Sequence, residues 1–177
     1  MPWSDIKREL VERDRKECLR VIKCLYDLNR TNKTFLEAAL GDDKAASISA
    51  YKKEISEAID PKVEDPIELR RGRKAISDYK RANPSGTWGV VDLMLHYLEA
   101  GANQTLAYGD IDEAFYDSMC TMVDKVIEVG SSLKDSDHSK FVIRFAALNE
   151  RTKGKVGWGY SDHIGAAASE LNLHGTN

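Results

Sequence analysis

The sequence predicts an all-α protein that forms one domain of about nine helices. Apolar residues recur every three or four positions along most of the chain, and no stretch alternates apolar and polar residues for long enough to predict a strand. Glycine, proline and helix-capping residues separate the periodic segments by short links. Because short links place consecutive helices side by side, we expect successive antiparallel pairs, in a compact bundle or a short stack of helical hairpins.

The composition is that of an ordinary globular protein. The chain has 177 residues and a net charge of -3, which gives no overall attraction to nucleic acid or anionic lipid. We expect one domain over residues 1–177, with 172–177 as a frayed tail. Cys18, Cys24 and Cys120 form no Cys-x-x-Cys pair and the N-terminus is unlike a secretory signal, so we expect core cysteines in a cytoplasmic protein. No apolar run approaches the roughly 18 residues of a membrane span.

Four amphipathic helices are predicted in the first third of the chain, with a break in the charged run 12–16. Their apolar stripes are Trp3, Ile6 and Leu10; Cys18 or Leu19, Ile22, Leu25 and Tyr26; Phe35, Leu36, Ala39 and Leu40; and Ile48, Tyr51, Ile55 and Ile59. The expected helix starts are Ser4, then Thr34 with Glu37 or Asn32 one turn earlier, and then Asp42 or Asp43. The expected helix ends are Asn29, Gly41 and Pro61.

The segment Asp65-Pro66-Ile67-Glu68 predicts the start of a fifth helix, because aspartate caps, proline fits the first helical position and glutamate can close a capping box. This helix should end at Asn83-Pro84, with Gly72 allowing a neighbouring backbone to approach. Its inward residues are Leu69, Ile76 and Tyr79, and its basic face carries Arg70, Arg71, Arg73, Lys74, Lys80 and Arg81.

The basic face has three interpretations. Residues 69–81 contain six basic residues and one acidic residue, Asp78, which gives a net charge of +5. Residues 110–128 contain six acidic residues and one basic residue, Lys125, which gives a net charge of -5. The face could be solvated and salt-bridged, could bind an acidic protein, or could contact the phosphates of nucleic acid. No recognition helix or aromatic stacking platform accompanies it.

The sixth helix should be central, because its apolar residues cover more than one face. We expect it to begin at Ser85 or Thr87 and to end at Gly101. The apolar residues are Trp88, Val90, Val91, Met94, Leu95, Tyr97 and Leu98.

Three further helices follow a joint at Tyr108–Tyr116, which reads YGDIDEAFY. Gly109 supplies a permissive turn before the seventh helix, which Gly130 should close. Ser132 with Asp135 should start the eighth helix, and Gly157-Trp158-Gly159-Tyr160 should turn the chain into a ninth that Ser161 or Asp162 caps. The inward residues are Phe115, Met119, Met122, Val126 and Val129; Phe141, Phe145 and Leu148; and Ile164, Ala168 and Leu171.

Two features of these joints are candidates for function. Asp110, Asp112 and Glu113 could cap the seventh helix, could form a docking surface, or could bind a hard cation, although the spacing is not that of an EF-hand. Trp158 could seal the last helix against the core or could anchor a partner.

No catalytic constellation is evident. The four histidines, His96, His138, His163 and His174, do not show the pattern of a helical metal site, and Asp92 with His96 predicts a buried polar pair or a surface contact. Asp162 beside His163 is interpreted as a helix cap. The chain contains neither a Gly-x-Ser-x-Gly elbow nor a glycine-rich phosphate loop.

The chain resembles a family of small bacterial proteins known as a domain of unknown function. The similarity extends over nearly the full length and rests on NKTFL at 32–36, the YGDIDEAFY joint and GWGY at 157–160. Leu25-Tyr26 with Asn29, and the stretch 92–97, support it. The family usually has an aromatic residue where this chain has His96, which weakens a catalytic role for that histidine. The resemblance implies an all-helical bacterial cytoplasmic protein and supplies no activity, cofactor or site residue.

The sequence therefore predicts a non-enzymatic helical protein-protein interaction module, with a protein partner or a second copy of the chain bound. We expect no catalytic residue, cofactor or metal. The alternatives are a nucleic-acid-associated regulator that uses the basic face, and a metal-dependent hydrolase that uses Asp110, Asp112 and Glu113. The candidate partner-binding residues are Tyr108, Asp110, Asp112, Glu113, Tyr116, Trp158 and Tyr160.

Overall fold

A computed structural model describes residues 1–62 and 64–174 of the chain. Across these residues the protein is all-α, as the sequence predicts, with nine helices and no strand. No helix in the described ranges is long and apolar enough to cross a membrane. The helices are α1 (Trp3–Val11), α2 (Arg15–Leu28), α3 (Arg30–Leu40), α4 (Lys44–Ile59), α5 (Leu69–Ala82), α6 (Thr87–Tyr108), α7 (Glu113–Gly130), α8 (Asp135–Thr152) and α9 (Tyr160–His174).

Helix α6 is the centre of the fold, as its several apolar faces predict. It packs against α4, α5, α7 and α8, and five of its large side chains are fully buried: Val91, Leu93, Leu95, Tyr97 and Leu98. Helix α9 packs on α7 and α8. A helix with four neighbours makes a compact bundle, so the linear stack of hairpins does not describe the fold.

Glycines inside the helices mark close packing between elements. Gly101 does not end α6, contrary to the prediction, because the helix continues to Tyr108. A Cβ atom at Gly101 would lie 2.5 Å from the sulfur of Met119, so the glycine lets α7 approach α6. A Cβ atom at Gly72 would lie 2.7 Å from the side chain of Ile59, so Gly72 admits a side chain and not the neighbouring backbone that we predicted.

The predicted start of α5 is wrong. Residues 65–68 are not helical, and α5 begins at Leu69 without a side-chain cap. The backbone N–H of Glu68 donates to the carbonyl of Ala58 over 2.7 Å, which ties the linker to the last turn of α4. This tertiary hydrogen bond occupies the group that a capping box would have used.

Side-chain caps are confirmed at some helix starts and wrong at others. Asp43 caps α4 by accepting a hydrogen bond from the N–H of Ala46 over 2.9 Å, and Gly41 follows the last residue of α3 as predicted. Asn29 both ends α2 and caps α3, so α3 starts earlier than the prediction. The predicted caps that the structure does not show are Ser4, Asn32 or Thr34, Ser132, and Ser161 or Asp162. Helix α6 begins at Thr87, one of its two predicted starts.

The misassigned serines bond elsewhere. Ser132 donates to the carbonyl of Val129 over 2.7 Å, and the hydroxyl of Ser161 accepts a hydrogen bond from the N–H of Gly154 over 3.0 Å. Helix α8 therefore starts at Asp135, after Lys134, and α9 starts at Tyr160. The backbone of α9 extends to His174, and the rest of the predicted tail, 175–177, lies outside the described residues.

The cysteines are free thiols. The prediction that they belong to the core is wrong for Cys18 and Cys24, whereas Cys120 is partly buried and packs against the core. Cys24 is exposed on α2, whereas Cys18 and Cys120 are half-buried. The thiol of Cys18 donates to the carbonyl of Leu10 over 3.6 Å, which is a contact between α1 and α2.

Candidate interaction surfaces

The joint between α6 and α7 is built as the sequence predicts. Gly109 follows α6 with a φ of 90°, a conformation that glycine adopts without strain. Asp112 then caps α7, because its Oδ1 accepts a hydrogen bond from the N–H of Phe115 over 2.8 Å. Glu113 lies in the first turn of α7, where a negative charge is favourable. The capping interpretation is therefore confirmed for Asp112.

Asp110 connects this joint to the Gly157–Tyr160 motif. The hydroxyl of Tyr116 donates to Asp110 Oδ1 over 2.8 Å and lies 2.6 Å from Thr105 Oγ1. A Cβ atom at Gly157 would lie 2.8 Å from Asp110 Oδ2, so the carboxylate rests directly against the glycine. The two motifs are adjacent in space, and burial raises the pKa of Tyr116, which keeps its hydroxyl protonated as a donor.

Trp158 is both packed and exposed. Its backbone has a φ of 57°, which is unusual for a residue with a large side chain. Its ring stacks on Tyr116, with centroids 6.2 Å apart and an interplanar angle of 16°. Nevertheless 58% of Trp158 is exposed. One face of the indole thus closes the joint, and the other faces solvent.

The candidate partner-binding residues separate into a buried floor and an exposed rim. Tyr116 and Tyr160 are buried and their rings lie 6.0 Å apart, so neither offers a surface for direct contact. The exposed members are Tyr108, Asp110, Asp112, Glu113 and Trp158. We call these five residues the acidic-aromatic rim.

His96 belongs to a polar cluster that sequence reasoning missed. Its Nε2 lies 2.8 Å from Ser56 Oγ and 3.1 Å from the carbonyl oxygen of Lys52, while its Nδ1 lies 3.9 Å from Glu99 Oε2. Serine, histidine and glutamate in this order resemble a nucleophilic triad. Glu99 follows His96 by one helical turn, and this spacing was the available signal.

The hydrogen bonds of His96 argue against nucleophilic catalysis. A carbonyl oxygen can only accept, so the Nε2 that faces Lys52 carries the proton of the neutral ring. A protonated Nε2 cannot remove a proton from Ser56. Burial lowers the pKa of His96 against the opposing effect of Glu99, so the ring is neutral and serves to connect α4 and α6.

Asp92 does not pair with His96, as the sequence suggested, but takes part in a network of ion pairs across three helices. The carboxylate is buried, lies 2.8 Å from Lys52 Nζ, and accepts a hydrogen bond from Arg144. Arg144 also holds Glu99 through two hydrogen bonds of 2.5 and 2.7 Å. Burial alone would lower the pKa of Arg144, but Glu99 and Asp92 reverse this effect and raise it. The network ties α4, α6 and α8 together.

The remaining polar candidates do not converge on one site. His163 lies 2.7 Å from Asp124, and this pair connects α9 with α7. Asp110 and Asp112 are engaged at the joint. Within the described residues, no three histidine, cysteine, aspartate or glutamate side chains are arranged to hold a metal ion.

Ion pairs occupy much of the basic face. Arg71 donates to three glutamates, Glu54, Glu68 and Glu57, over 2.6, 2.9 and 3.2 Å, and the first two raise its pKa. Lys74 pairs with Asp78, and Arg73 donates to Ser118 of α7. Arg70, Lys80 and Arg81 are the exposed cations that remain. The face is thus partly the salt-bridged surface that we considered.

The N-terminal helices expose many large apolar side chains, which sequence reasoning missed. Neither α1 nor α2 contains a buried residue. Thirteen large hydrophobic residues of the described chain are exposed, and nine of them lie between residues 3 and 40. We call these nine the N-terminal apolar face: Trp3, Ile6, Val11, Leu19, Val21, Ile22, Leu25, Leu28 and Leu40.

Part of this surface is a groove between α2 and α3. Leu19, Ile22 and Tyr26 of α2 line it from one side, and Leu36 and Leu40 of α3 from the other. Because α2 packs mainly on α3, the groove lies away from the central core. The sequence showed the apolar stripe of α2, but periodicity does not reveal whether a stripe packs inside its own fold.

No family profile, curated protein or solved structure matches the chain at a significant level.

Proposed function

We propose that this chain is a non-enzymatic helical protein-protein interaction module of the cytoplasm. The N-terminal apolar face carries the proposal, because its nine large side chains are between 39% and 76% exposed. Exposed apolar side chains that lie together in a patch mark binding surfaces, whereas single scattered ones do not, and Leu19, Ile22 and Leu40 lie together in the groove between α2 and α3. A partner that covers this face would remove it from water.

The polar clusters favour binding over catalysis. The arrangement closest to an active site is Ser56 with His96, and the Lys52 carbonyl fixes the histidine proton on the wrong nitrogen for a general base. Asp110 and Asp112 hold Tyr116 and the first turn of α7. These polar groups therefore already form hydrogen bonds within the chain.

The acidic-aromatic rim is a second, smaller binding surface in this proposal. It combines the exposed faces of Tyr108 and Trp158 with three carboxylates. Aromatic rings beside acids suit a basic segment of a partner, because a cation is attracted both to the carboxylates and to the ring faces. The rim has five residues, fewer than the roughly 20–30 that each partner contributes to a standard interface, whereas the N-terminal apolar face has nine large hydrophobic residues and is the main surface of this proposal.

Nucleic-acid binding by the basic face is less well supported. Arg71 and Lys74 are already paired with acids, and breaking these pairs would offset part of the gain from phosphate contacts. A regulator of this kind would bind with a steep dependence on salt that vanishes when Arg70, Lys80 and Arg81 are changed to glutamine. Affinity that does not change with salt would oppose this alternative.

Site-specific photo-crosslinking in living bacterial cells tests the proposal. A photoreactive amino acid replaces Leu25 on the N-terminal apolar face, and the matched control replaces Arg20, which is five residues away and lies on the other side of α2. We expect adducts heavier than the chain from position 25 and few from position 20. No adduct at 25, or equal adducts at both positions, would contradict an interaction through this face.

A further inference from the structure

An open cavity of about 390 Å³ lies against α5, on one side of the basic face. Six residues of this single helix line it: Arg70, Arg73, Lys74, Ser77, Asp78 and Arg81. Spacings of three, four, seven and eleven residues from Arg70 place the cations and the serine along one side of the helix. We propose that this cavity binds a linear polyphosphate, which is either the triphosphate group of a nucleotide or an inorganic polyphosphate.

Among the described residues, three of the four cations around the cavity have no acidic partner. The ion pairs of α5 in this part of the chain are those of Arg71 with three glutamates and of Lys74 with Asp78. The three arginines of the cavity take part in none of them. Because Lys74 and Asp78 cancel each other, three positive charges remain that these residues do not neutralise.

This cluster of like charges is unfavourable to the folded chain. Arg70 lies three residues before Arg73 and four before Lys74, and like charges one turn apart on a helix repel each other. The neighbouring Arg71 shows that the fold can neutralise a cation, since three glutamates accept hydrogen bonds from it. Locally unfavourable arrangements that a fold retains are expected at functional sites. The missing negative charge would come from a bound anion.

Arg73 is held in position by buried side chains of two other helices. Its guanidinium donates to the hydroxyl of Ser118 in α7, which lies 2.9 Å from the hydroxyl of Tyr97 in α6. Ser118 and Tyr97 are both buried. A guanidinium has five N–H donors, so Arg73 keeps donors for a ligand while Ser118 fixes its orientation. A side chain that is already ordered loses less entropy when a ligand binds, which strengthens binding.

The chemistry of the cavity favours a chain of phosphates over other anions. Guanidinium groups bind phosphate oxygens in pairs, and Ser77 adds an exposed hydroxyl. A terminal phosphate carries about 1.5–2 negative charges at neutral pH, so a chain of phosphates balances three arginines, whereas one carboxylate balances a single arginine. The residues that line the cavity include no aromatic ring on which a base could stack. The phosphates are therefore the part of the ligand that the site recognises.

Isothermal titration calorimetry of the purified full chain tests the proposal. The probes are inorganic triphosphate, ATP and a single-stranded oligonucleotide, each in metal-free buffer at about 150 mM salt. We compare the native chain with the double variant Arg70→Gln and Arg81→Gln. The matched control is Lys80→Gln, which removes an exposed cation of the same helix outside the cavity. Arg70 and Arg81 are exposed, so their replacement should leave the fold intact, and circular dichroism checks this. If the double variant does not fold, Arg81→Gln alone decides.

We expect triphosphate and ATP to bind the native chain and Lys80→Gln with similar affinities. The double variant should bind either probe about 100-fold more weakly, because each charge-assisted contact is worth about tenfold or more. An affinity for triphosphate that equals or exceeds that for ATP would identify inorganic polyphosphate as the source of the ligand, and tighter binding of ATP would identify a nucleotide. Either result supports the proposal.

Other outcomes would overturn the proposal. These are no binding of triphosphate or ATP at about 1 mM, an affinity that the double variant does not change, and an equal loss of affinity in Lys80→Gln, which would show only a general attraction between charges. Tighter binding of the oligonucleotide than of triphosphate would identify nucleic acid as the ligand of the basic face and would likewise overturn it. None of these variants changes the N-terminal apolar face, so the crosslinking test at position 25 stands or fails separately.

Discussion

Tyr116 and Tyr160 are neighbouring buried tyrosines whose hydroxyl groups differ in their bonding. Tyr116 contacts Thr105 and Asp110, whereas the Tyr160 hydroxyl has no hydrogen-bond partner among the described groups. Removing a bonded hydroxyl leaves its buried partners unsatisfied, while removing an unbonded one does not. We therefore expect Tyr116→Phe to lower the free energy of unfolding by about 2 kcal/mol, and Tyr160→Phe to change it by less than about 1 kcal/mol. Urea denaturation measures both.

The comparison is matched because both variants delete one oxygen atom and keep the ring. Equal losses of stability for the two variants would show that the Tyr116 contacts with Asp110 and Thr105 do not stabilise the joint. Asp110→Asn provides a further check, since it keeps the shape of the acceptor and removes its charge.

His96 makes stability depend on pH in a predictable direction. Burial lowers its pKa in the folded chain below the ordinary value of 6.5. As the pH falls below about 6.5, the unfolded chain binds a proton that the folded chain resists, so the free energy of unfolding decreases until the pH passes the folded pKa. The slope due to one proton cannot exceed about 1.4 kcal/mol per pH unit.

Replacing His96 with glutamine isolates this contribution. The amide of glutamine can donate to the Lys52 carbonyl but does not titrate. We expect the stability difference between the native chain and His96→Gln to vary with pH below 6.5 and to level off above 7, as measured by denaturation at a series of pH values. Parallel curves for the two proteins would contradict the buried, neutral state of the ring.

At the level of the helices, two glycines should respond oppositely to alanine. A Cβ atom at Gly130, at the end of α7, would lie 2.5 Å from the ring of Phe141, which is fully buried. At Gly165 in α9, the nearest atom would be 3.7 Å away. Overpacking a core costs about 1–3 kcal/mol, whereas alanine inside a helix stabilises it by about 0.5–1 kcal/mol relative to glycine.

We therefore expect Gly130→Ala to lower the melting temperature and Gly165→Ala to raise it slightly. Thermal unfolding followed by circular dichroism gives both values. The contact between α7 and α8 would be looser than the structure shows if Gly130→Ala were neutral.

Helix boundaries were predictable where the capping partner lies within the same turn. Asp43 and Asp112 each accept a hydrogen bond from the N–H three residues later, and the local pattern was sufficient to identify them. The linker before α5 was not predictable, because Glu68 bonds to Ala58 in another helix. Gly101 looked like a helix stop, since the sequence does not show that Met119 packs against it.

On the scale of the molecule, the sequence predicted the helical class and the central helix but not the surface left uncovered. The stripe of α2 has the same spacing as that of α4, yet Ile55 and Ile59 are fully buried while Ile22 and Leu25 are exposed. Periodicity identifies a face that needs an apolar neighbour and does not say whether that neighbour belongs to the same chain. The sequence indicated a shared surface of candidate acids and aromatic residues. In the structure Tyr116 and Tyr160 are buried, so only the other five candidates lie at the surface.

The uneven distribution of buried residues predicts that the two ends of the chain contribute differently to folding. Residues 1–28 bury no side chain, whereas α9 buries Tyr160, Ile164, Ala168 and Leu171. We expect a chain that begins at Asn29 to fold cooperatively, because Asn29 still caps α3. A chain that stops at Val156 should not fold, since it loses part of the core.

The same truncation separates the folding of one chain from its pairing. If two copies pair through α1 and α2, the native chain gains stability as its concentration rises, because association draws molecules from the unfolded state. The chain that begins at Asn29 has lost most of the paired surface, so its melting temperature should not change between about 1 and 100 μM, whereas that of the native chain should rise by several degrees. Calorimetry at a series of concentrations measures both. A native melting temperature that is constant over this range would show that the chain does not pair with itself. A truncated chain that cannot fold would show that α1 and α2 are needed for the folding of a single molecule.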